Sequence, residues 1–148
     1  MKSRPKTFLY RVYLEWKGAR RGVLSSFGKP DIEVATPPEF RGHEGLWSPE
    51  DLFVSAVNIC IMTTFLYYAD KEKLIFISYT STAEGILERV GNEFMFSCVK
   101  VSPTIKVENN DDIIKAKRLI ELSERNCLIS NSIKSKVEVN PYIIVKED

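Results

Sequence analysis

The run from Leu52 to Ala69 constrains this chain more than any other feature. It is strongly apolar, close in length to a marginal membrane span, and hydrophobic on nearly every helical face. Ser55, Asn58, Thr63 and Thr64 interrupt it, Glu50 and Asp51 precede it, Asp70 follows it, and no second apolar run is present to pair with it. A helix apolar on nearly all sides in a soluble protein belongs at the centre of the fold. The reading is therefore a buried central helix over residues 49–70, without a membrane partner. Its start is well marked. Ser48 is a capping residue, Pro49 suits the first helical position, and Glu50 and Asp51 face the positive end of the helix dipole.

The 148 residues make one domain, or at most two small, intimately packed halves. With 21 Lys and Arg against 20 Asp and Glu, the net charge is +1, which gives no concentrated positive field for nucleic acid or an anionic membrane. One histidine, His43, excludes most His-rich metal sites. Three widely spaced cysteines, Cys60, Cys98 and Cys127, form neither a disulfide framework nor a CxxC pair. Lys2, Arg4 and Lys6 are followed by no apolar run of signal-peptide length, so a reducing cytoplasm is the expected compartment.

Around the helix the pattern is that of strands. Phe8, Tyr10, Val12, Leu14 and Trp16 alternate with polar residues from Thr7 to Lys17, which predicts a half-buried strand. Two shorter strands follow, at Gly22–Phe27 and around Ile32 and Val34, completing an N-terminal strand region over 7–35. Beyond the helix, strands over 75–107 are joined at Gly91-Asn92, a hairpin signal, and Pro103 places the second of them at an edge or a bulge. Helices are expected over 110–134: an amphipathic one to Arg125 and a short one or turn after Asn126. A C-terminal strand closes the chain over 136–146. The order predicts an α+β fold with antiparallel sheet, since helices and strands do not alternate regularly.

Taken singly, the chemistry-bearing residues say little. Cys60, in mid-helix among apolar residues, reads as a small hydrophobe with an inert thiol unless a cation reaches it. Cys127 follows a helix break, where the next turn's N–H groups would stabilise a thiolate; a plain junction residue fits equally well. Cys98, in a Phe-rich strand, reads as core. Arg20 and Arg21 sit in a glycine-flanked turn, as solvated arginines often do. Glu50 reads as a helix-start carboxylate, His43 as an exposed loop residue, and Lys115, Lys117 and Arg118 as part of a solvated face offset by neighbouring acids.

Taken together, they form a pattern. Thr36-Pro37-Pro38-Glu39-Phe40, then Gly42, Gly45 and Ser48-Pro49-Glu50-Asp51-Leu52-Phe53, lead to a cysteine on an apolar helix, and Cys127-Leu128-Ile129-Ser130-Asn131-Ser132 comes later. This arrangement resembles the OsmC/Ohr family over nearly the whole chain. The resemblance implies an intertwined homodimer with antiparallel sheets packed around the central helix. It also implies thiol-dependent reduction of organic hydroperoxides. Cys60 matches the peroxidatic cysteine, Cys127 the resolving one and Glu50 the family's glutamate. Arg20 fits the family's arginine best, with Arg21 one register step away. Leu128 stands where many relatives carry proline, and Trp47 also departs from the best-studied branches.

The chemistry implied needs no metal or organic cofactor. A thiolate at Cys60, favoured by an arginine that Glu50 orients, attacks the peroxide and becomes a sulfenic acid; Cys127 condenses with it to a disulfide. An external dithiol, in the family often a lipoylated protein, resets the pair. Glu50 and Cys60 lie ten residues apart on one helix, about 15 Å along its axis, so a site using both draws its Glu50 from the partner chain. The competing readings are a dimeric small-ligand-binding protein with incidental cysteines, and a redox sensor using the same pair.

Overall fold

The computed structural model describes residues 2–148. The chain divides into two compact units, the first running to Leu52 and the second comprising Phe53–Asp148. In the first, β1 (Tyr13–Trp16), β2 (Arg21–Ser25) and β3 (Ile32–Ala35) form an antiparallel sheet in that order. The strand expected from Thr7 starts only at Tyr13, and its apolar residues are exposed rather than half-buried. The alternation is real, but the first unit leaves those side chains largely uncovered. After β3 a Pro-rich loop contains a 3-10 turn at Pro38–Phe40. Gly42 is sterically required there, because a Cβ at that position would lie 1.6 Å from the Thr36 carbonyl oxygen.

Helix α1 (Pro49–Lys71) starts where the sequence places it. Ser48 Oγ accepts from the Asp51 N–H at 3.1 Å, while the Asp51 carboxylate accepts from the Ser48 N–H at 3.0 Å, a reciprocal cap. The helix is long and apolar enough to cross a membrane by length and composition. Within one chain it buries a single stripe, Val57, Ile61, Phe65 and Ala69, and leaves Ile59, Leu66 and Tyr67 exposed. Burial on all sides is thus not achieved within one chain, which supplies cover for one face only.

The second unit carries the hydrophobic core. β4 (Phe76–Val90) and β5 (Glu93–Val107) form a long hairpin turning at Gly91-Asn92, with Gly91 at a φ of 63°. Helix α2 (Asp111–Asn126) then carries the chain back, and β6 (Lys136–Val139) and β7 (Tyr142–Val145) both pair with β5 in parallel. The sheet is therefore mixed, not antiparallel, and the expected C-terminal strand is two. A helix between strands permits a parallel return, which a tight turn does not. β5 lies between neighbours, so Pro103 is at neither an edge nor a bulge. Val101 and Val107 carbonyls accept from Asn140 and Lys146 N–H groups. By alternation, the donor Pro103 lacks faces the break between β6 and β7. Val99, Val101, Ile105 and Val107 of β5 join the α1 stripe and Ala116, Leu119 and Ile120 of α2 in one buried cluster. Gly85 of β4 lets helix and sheet approach, since a Cβ there would meet Val54 Cγ2 at 2.4 Å and the Phe96 ring at 2.8 Å.

Candidate active site

The second unit brings Cys60 and Cys127 together. Both are free thiols; Cys60 is half-buried and Cys127 is buried. Cys60 is held by the middle of α1, and Cys127 by the end of α2, where the chain leaves the helix in an extended conformation (φ −68°, ψ 116°). The turn that follows is tightly braced. The Asn131 N–H donates to the Cys127 carbonyl at 3.0 Å, the Ser132 N–H to the Ile129 carbonyl at 3.0 Å, and the Ser132 hydroxyl to the Leu128 carbonyl at 2.7 Å.

That turn makes the two sulfurs unequal. Burial pushes the Cys60 thiol up, but the Cys127 thiol, the Ile129 and Leu128 backbone N–H groups and the Thr64 hydroxyl outweigh it, so its pKa falls below the ordinary value. Thr64 Oγ1 lies 3.9 Å from Cys60 Sγ, one helical turn further on. Cys127 is shifted the other way: burial raises its pKa and Cys60 raises it further, while Ser130 pulls it partly back. The Ser130 N–H donates to Cys127 Sγ at 3.4 Å. The pair can therefore divide its labour. One sulfur is the more readily ionised and the more accessible, and the other is the harder to ionise and covered.

Arg20 and Glu50 belong to the first unit, and every group that shifts Cys60 belongs to the second. Both Arg20 and Arg21 line a groove of about 550 Å³ with Leu14, Trp16, Val34 and Leu52. Arg20 is tied to the loop by a 2.7 Å hydrogen bond from its guanidinium to the Phe40 carbonyl. Glu50 is half-buried, and its Oε2 is buried without a hydrogen-bond partner. Cys98 is half-buried between Ile86 of β4 and Lys136 of β6 and lies outside the core cluster, contrary to its reading as core. His43 is half-buried rather than exposed, its N–H bonded to the Thr36 carbonyl at 2.9 Å. Lys115 and Arg118 are not merely solvated, for they hold the Glu72 carbonyl and carboxylate beyond the end of α1. Among the described residues no cluster of three or more His, Cys, Asp or Glu is placed to hold a metal.

Sequence reasoning expected the N–H groups of the turn after Cys127 to stabilise a thiolate there; the Ser130 N–H does reach Cys127, but burial raises that thiol overall, and the Leu128 and Ile129 N–H groups lower Cys60 instead. Thr64 and the Ser130 side chain were not singled out. Thr64, however, follows Cys60 by four positions, a spacing that puts both on one helical face.

A family model described as OsmC-like protein matches residues 42–141, which include both cysteines and Glu50. The chain belongs to the OsmC-like family. An OsmC-like protein of unknown function from Vibrio cholerae is similar in fold, with a TM-score of 0.82 at 22% identity, covering 91% of this chain and 99% of that one. An organic hydroperoxide resistance protein from Elizabethkingia anophelis has a TM-score of 0.73 at 23% identity, covering 99% of this chain and all of that one. In sequence, the chain is 24% identical over 144 residues to the uncharacterised protein YmaD of Bacillus subtilis strain 168, covering 93% of this chain and 95% of that protein. The OsmC-like architecture thus extends over the first unit as well as the region the family model matches.

Proposed function

We propose that this OsmC-like protein is a thiol-dependent peroxidase that reduces organic hydroperoxides to alcohols. The observation carrying the reading is the unequal ionisation of two adjacent thiols, Cys60 lowered and half-buried, Cys127 raised and buried. A more ionised, accessible sulfur is the nucleophile such chemistry needs. Cys60 thiolate attacks the outer peroxide oxygen, the O–O bond breaks, and the alkoxide takes a proton and leaves as alcohol. Cys60 is then a sulfenic acid. Cys127 attacks its sulfur, water leaves, and the disulfide forms before further oxidation. An external dithiol supplies two electrons to restore both thiols. The apolar residues around Cys60 suit a bulky hydroperoxide better than hydrogen peroxide.

The test is consumption of cumene hydroperoxide with dithiothreitol or dihydrolipoamide as reductant. Cys60→Ser abolishes the first step, Cys127→Ser consumes one equivalent and stops, and Cys98→Ser turns over normally. Mass spectrometry locates sulfenic acid on Cys60 in the Cys127→Ser protein. Oxidation that falls first on Cys98, or equally on all three thiols, refutes the assignment.

Arg20 and Glu50 complete this site in the proposal, contributed by a second copy of the chain in an intertwined homodimer. The unpaired, buried Glu50 Oε2 is the group an arginine would satisfy. Arg20 is favoured over Arg21 by the family pattern, and its bond to the Phe40 carbonyl fixes one end of its guanidinium to the loop, leaving the other nitrogens of the fork for a carboxylate. Co-expressing Cys60→Ser and Glu50→Ala chains, each inactive alone, yields a mixed dimer with one intact site and about half of wild-type activity. A mixed dimer as inactive as its parents excludes sharing.

A further inference from the structure

Ser130 lies beside the Cys127 sulfur, and the peroxidase chemistry above gives it no role. Its backbone N–H donates to Cys127 Sγ at 3.4 Å. Its hydroxyl oxygen is buried and makes no hydrogen bond of ordinary geometry, although it lies close enough to Cys127 sulfur to pull that thiol's pKa down. The neighbouring polar groups are already engaged: the Ser132 hydroxyl on the Leu128 carbonyl and the Asn131 side-chain amide on the Arg125 carbonyl. A buried hydroxyl left unpaired is costly, and the cost is recovered when an adjacent group becomes a strong acceptor. Beside Ser130 that group is Cys127 sulfur, which accepts far better as a thiolate than as a thiol.

Resting on the peroxidase reading, we propose that Ser130 makes Cys127 the leaving sulfur when the Cys60–Cys127 disulfide is reduced. Cys127 is fully covered (0% exposed), whereas Cys60 is half-buried, so an incoming thiolate reaches Cys60. A new S–S bond forms between the reductant and Cys60. The Cys60–Cys127 bond breaks, and its electron pair goes to Cys127 Sγ, where the Ser130 hydroxyl and N–H donate to it until it takes a proton. The reductant's second thiolate then displaces Cys60 thiolate and closes the reductant's own disulfide. Two electrons pass from the dithiol to the protein. Ser130 opposes the upward push that burial exerts on Cys127, the direction this role requires.

Two measurements test Ser130→Ala, with Ser130→Thr as the variant that keeps the hydroxyl. In a Cys60→Ser, Cys98→Ser background, thiolate absorbance at roughly 240 nm reports Cys127 alone. Its midpoint rises by about one pH unit in Ser130→Ala, the size of one charge-assisted hydrogen bond, and returns in Ser130→Thr. In proteins retaining all three cysteines, the disulfide is formed with diamide and reduced with dithiothreitol. Reduction slows about three- to tenfold in Ser130→Ala, and 2-mercaptoethanol leaves its adduct on Cys60. An unshifted Cys127 midpoint, or the adduct on Cys127, overturns the proposal. If Ser130→Ala does not fold, Ser130→Gly, which keeps the N–H and lacks the hydroxyl, is held to the same result. Neither measurement uses a peroxide. A protein that consumes no hydroperoxide yet shows both effects refutes the peroxidase reading and upholds the role of Ser130.

Discussion

The two units of this chain solve burial in opposite ways. The second, Phe53–Asp148, contains the whole buried cluster from Val57 to Cys127, contributed by both helices and β5. The first has a lower share of apolar residues and buries very few of them. Tyr10 is 92% exposed, Trp16 74% and Phe27 wholly exposed. A run of exposed aromatic and aliphatic side chains on a short sheet marks a surface that meets another molecule. The second unit is thus explained by its own contacts. The first is not; the second copy of the chain that the proposed site calls for would be one way to cover it.

The largest test of this contrast is Phe65→Ala. Phe65 is fully buried on the α1 stripe, with its ring against Phe76 and Tyr79 at centroid distances of 5.4 and 5.5 Å. Truncation removes a large buried surface and leaves a cavity, so chemical denaturation is expected to show a loss of about 3–5 kcal/mol. A loss below about 1 kcal/mol would mean that the second unit is not the stability core.

Next comes the double substitution Leu14→Asp with Trp16→Asp. Both residues are mostly exposed, so a free monomer would lose little beyond the Trp16 indole N–H bond to the Ala19 carbonyl and keep its fold. At a dimer surface, charging two apolar anchors weakens association by more than about 2 kcal/mol, roughly thirtyfold or more. Sedimentation of the variant at micromolar concentration should therefore give a monomer with the helical circular dichroism of the second unit retained. An unchanged oligomeric mass would remove this face from the dimer surface.

Where the sequence was legible, the controlling interaction was local. Ser48 and Asp51 cap α1 from three residues apart, and Gly91 turns the β4–β5 hairpin between adjacent strands. Where it was opaque, the control was distant. Nothing near Lys136 says that β6 will lie parallel to Cys98–Val101; α2 decides that by returning the chain. The alternation from Phe8 to Trp16 predicts a half-buried strand, but only Tyr13–Trp16 form one and its side chains are exposed, because nothing in the first unit covers them. The site follows the same division. Cys60 and Cys127 were recognisable by residue type and context. Main-chain donors after Cys127 were expected, but for Cys127 itself; that those of Leu128 and Ile129 act on Cys60 depends on how α1 and the turn pack, which residue type does not encode.

The smallest effect concerns the end of α1, where the second unit carries a strain of its own. Lys73 adopts a φ of 56°, in the left-handed region that disfavours any side chain with a Cβ. It does so because the helix closes in a Schellman arrangement: the Leu74 N–H donates to the Ala69 carbonyl at 2.8 Å and the Lys73 N–H to the Asp70 carbonyl at 3.2 Å. Glycine is the residue this position favours, and Lys73 itself is exposed with no side-chain partner among the described residues. Lys73→Gly relieves the Cβ strain and gives part of it back through a more flexible unfolded chain. A net gain of about 0.5–1 kcal/mol is expected in chemical denaturation, with the slope unchanged. Because Leu74 and Ala69 belong to the core of the second unit, the gain should persist at every protein concentration, whether or not a second copy is bound. A gain that disappears on dilution would place the helix end under the control of the second copy, and the contrast between the two units would fail there.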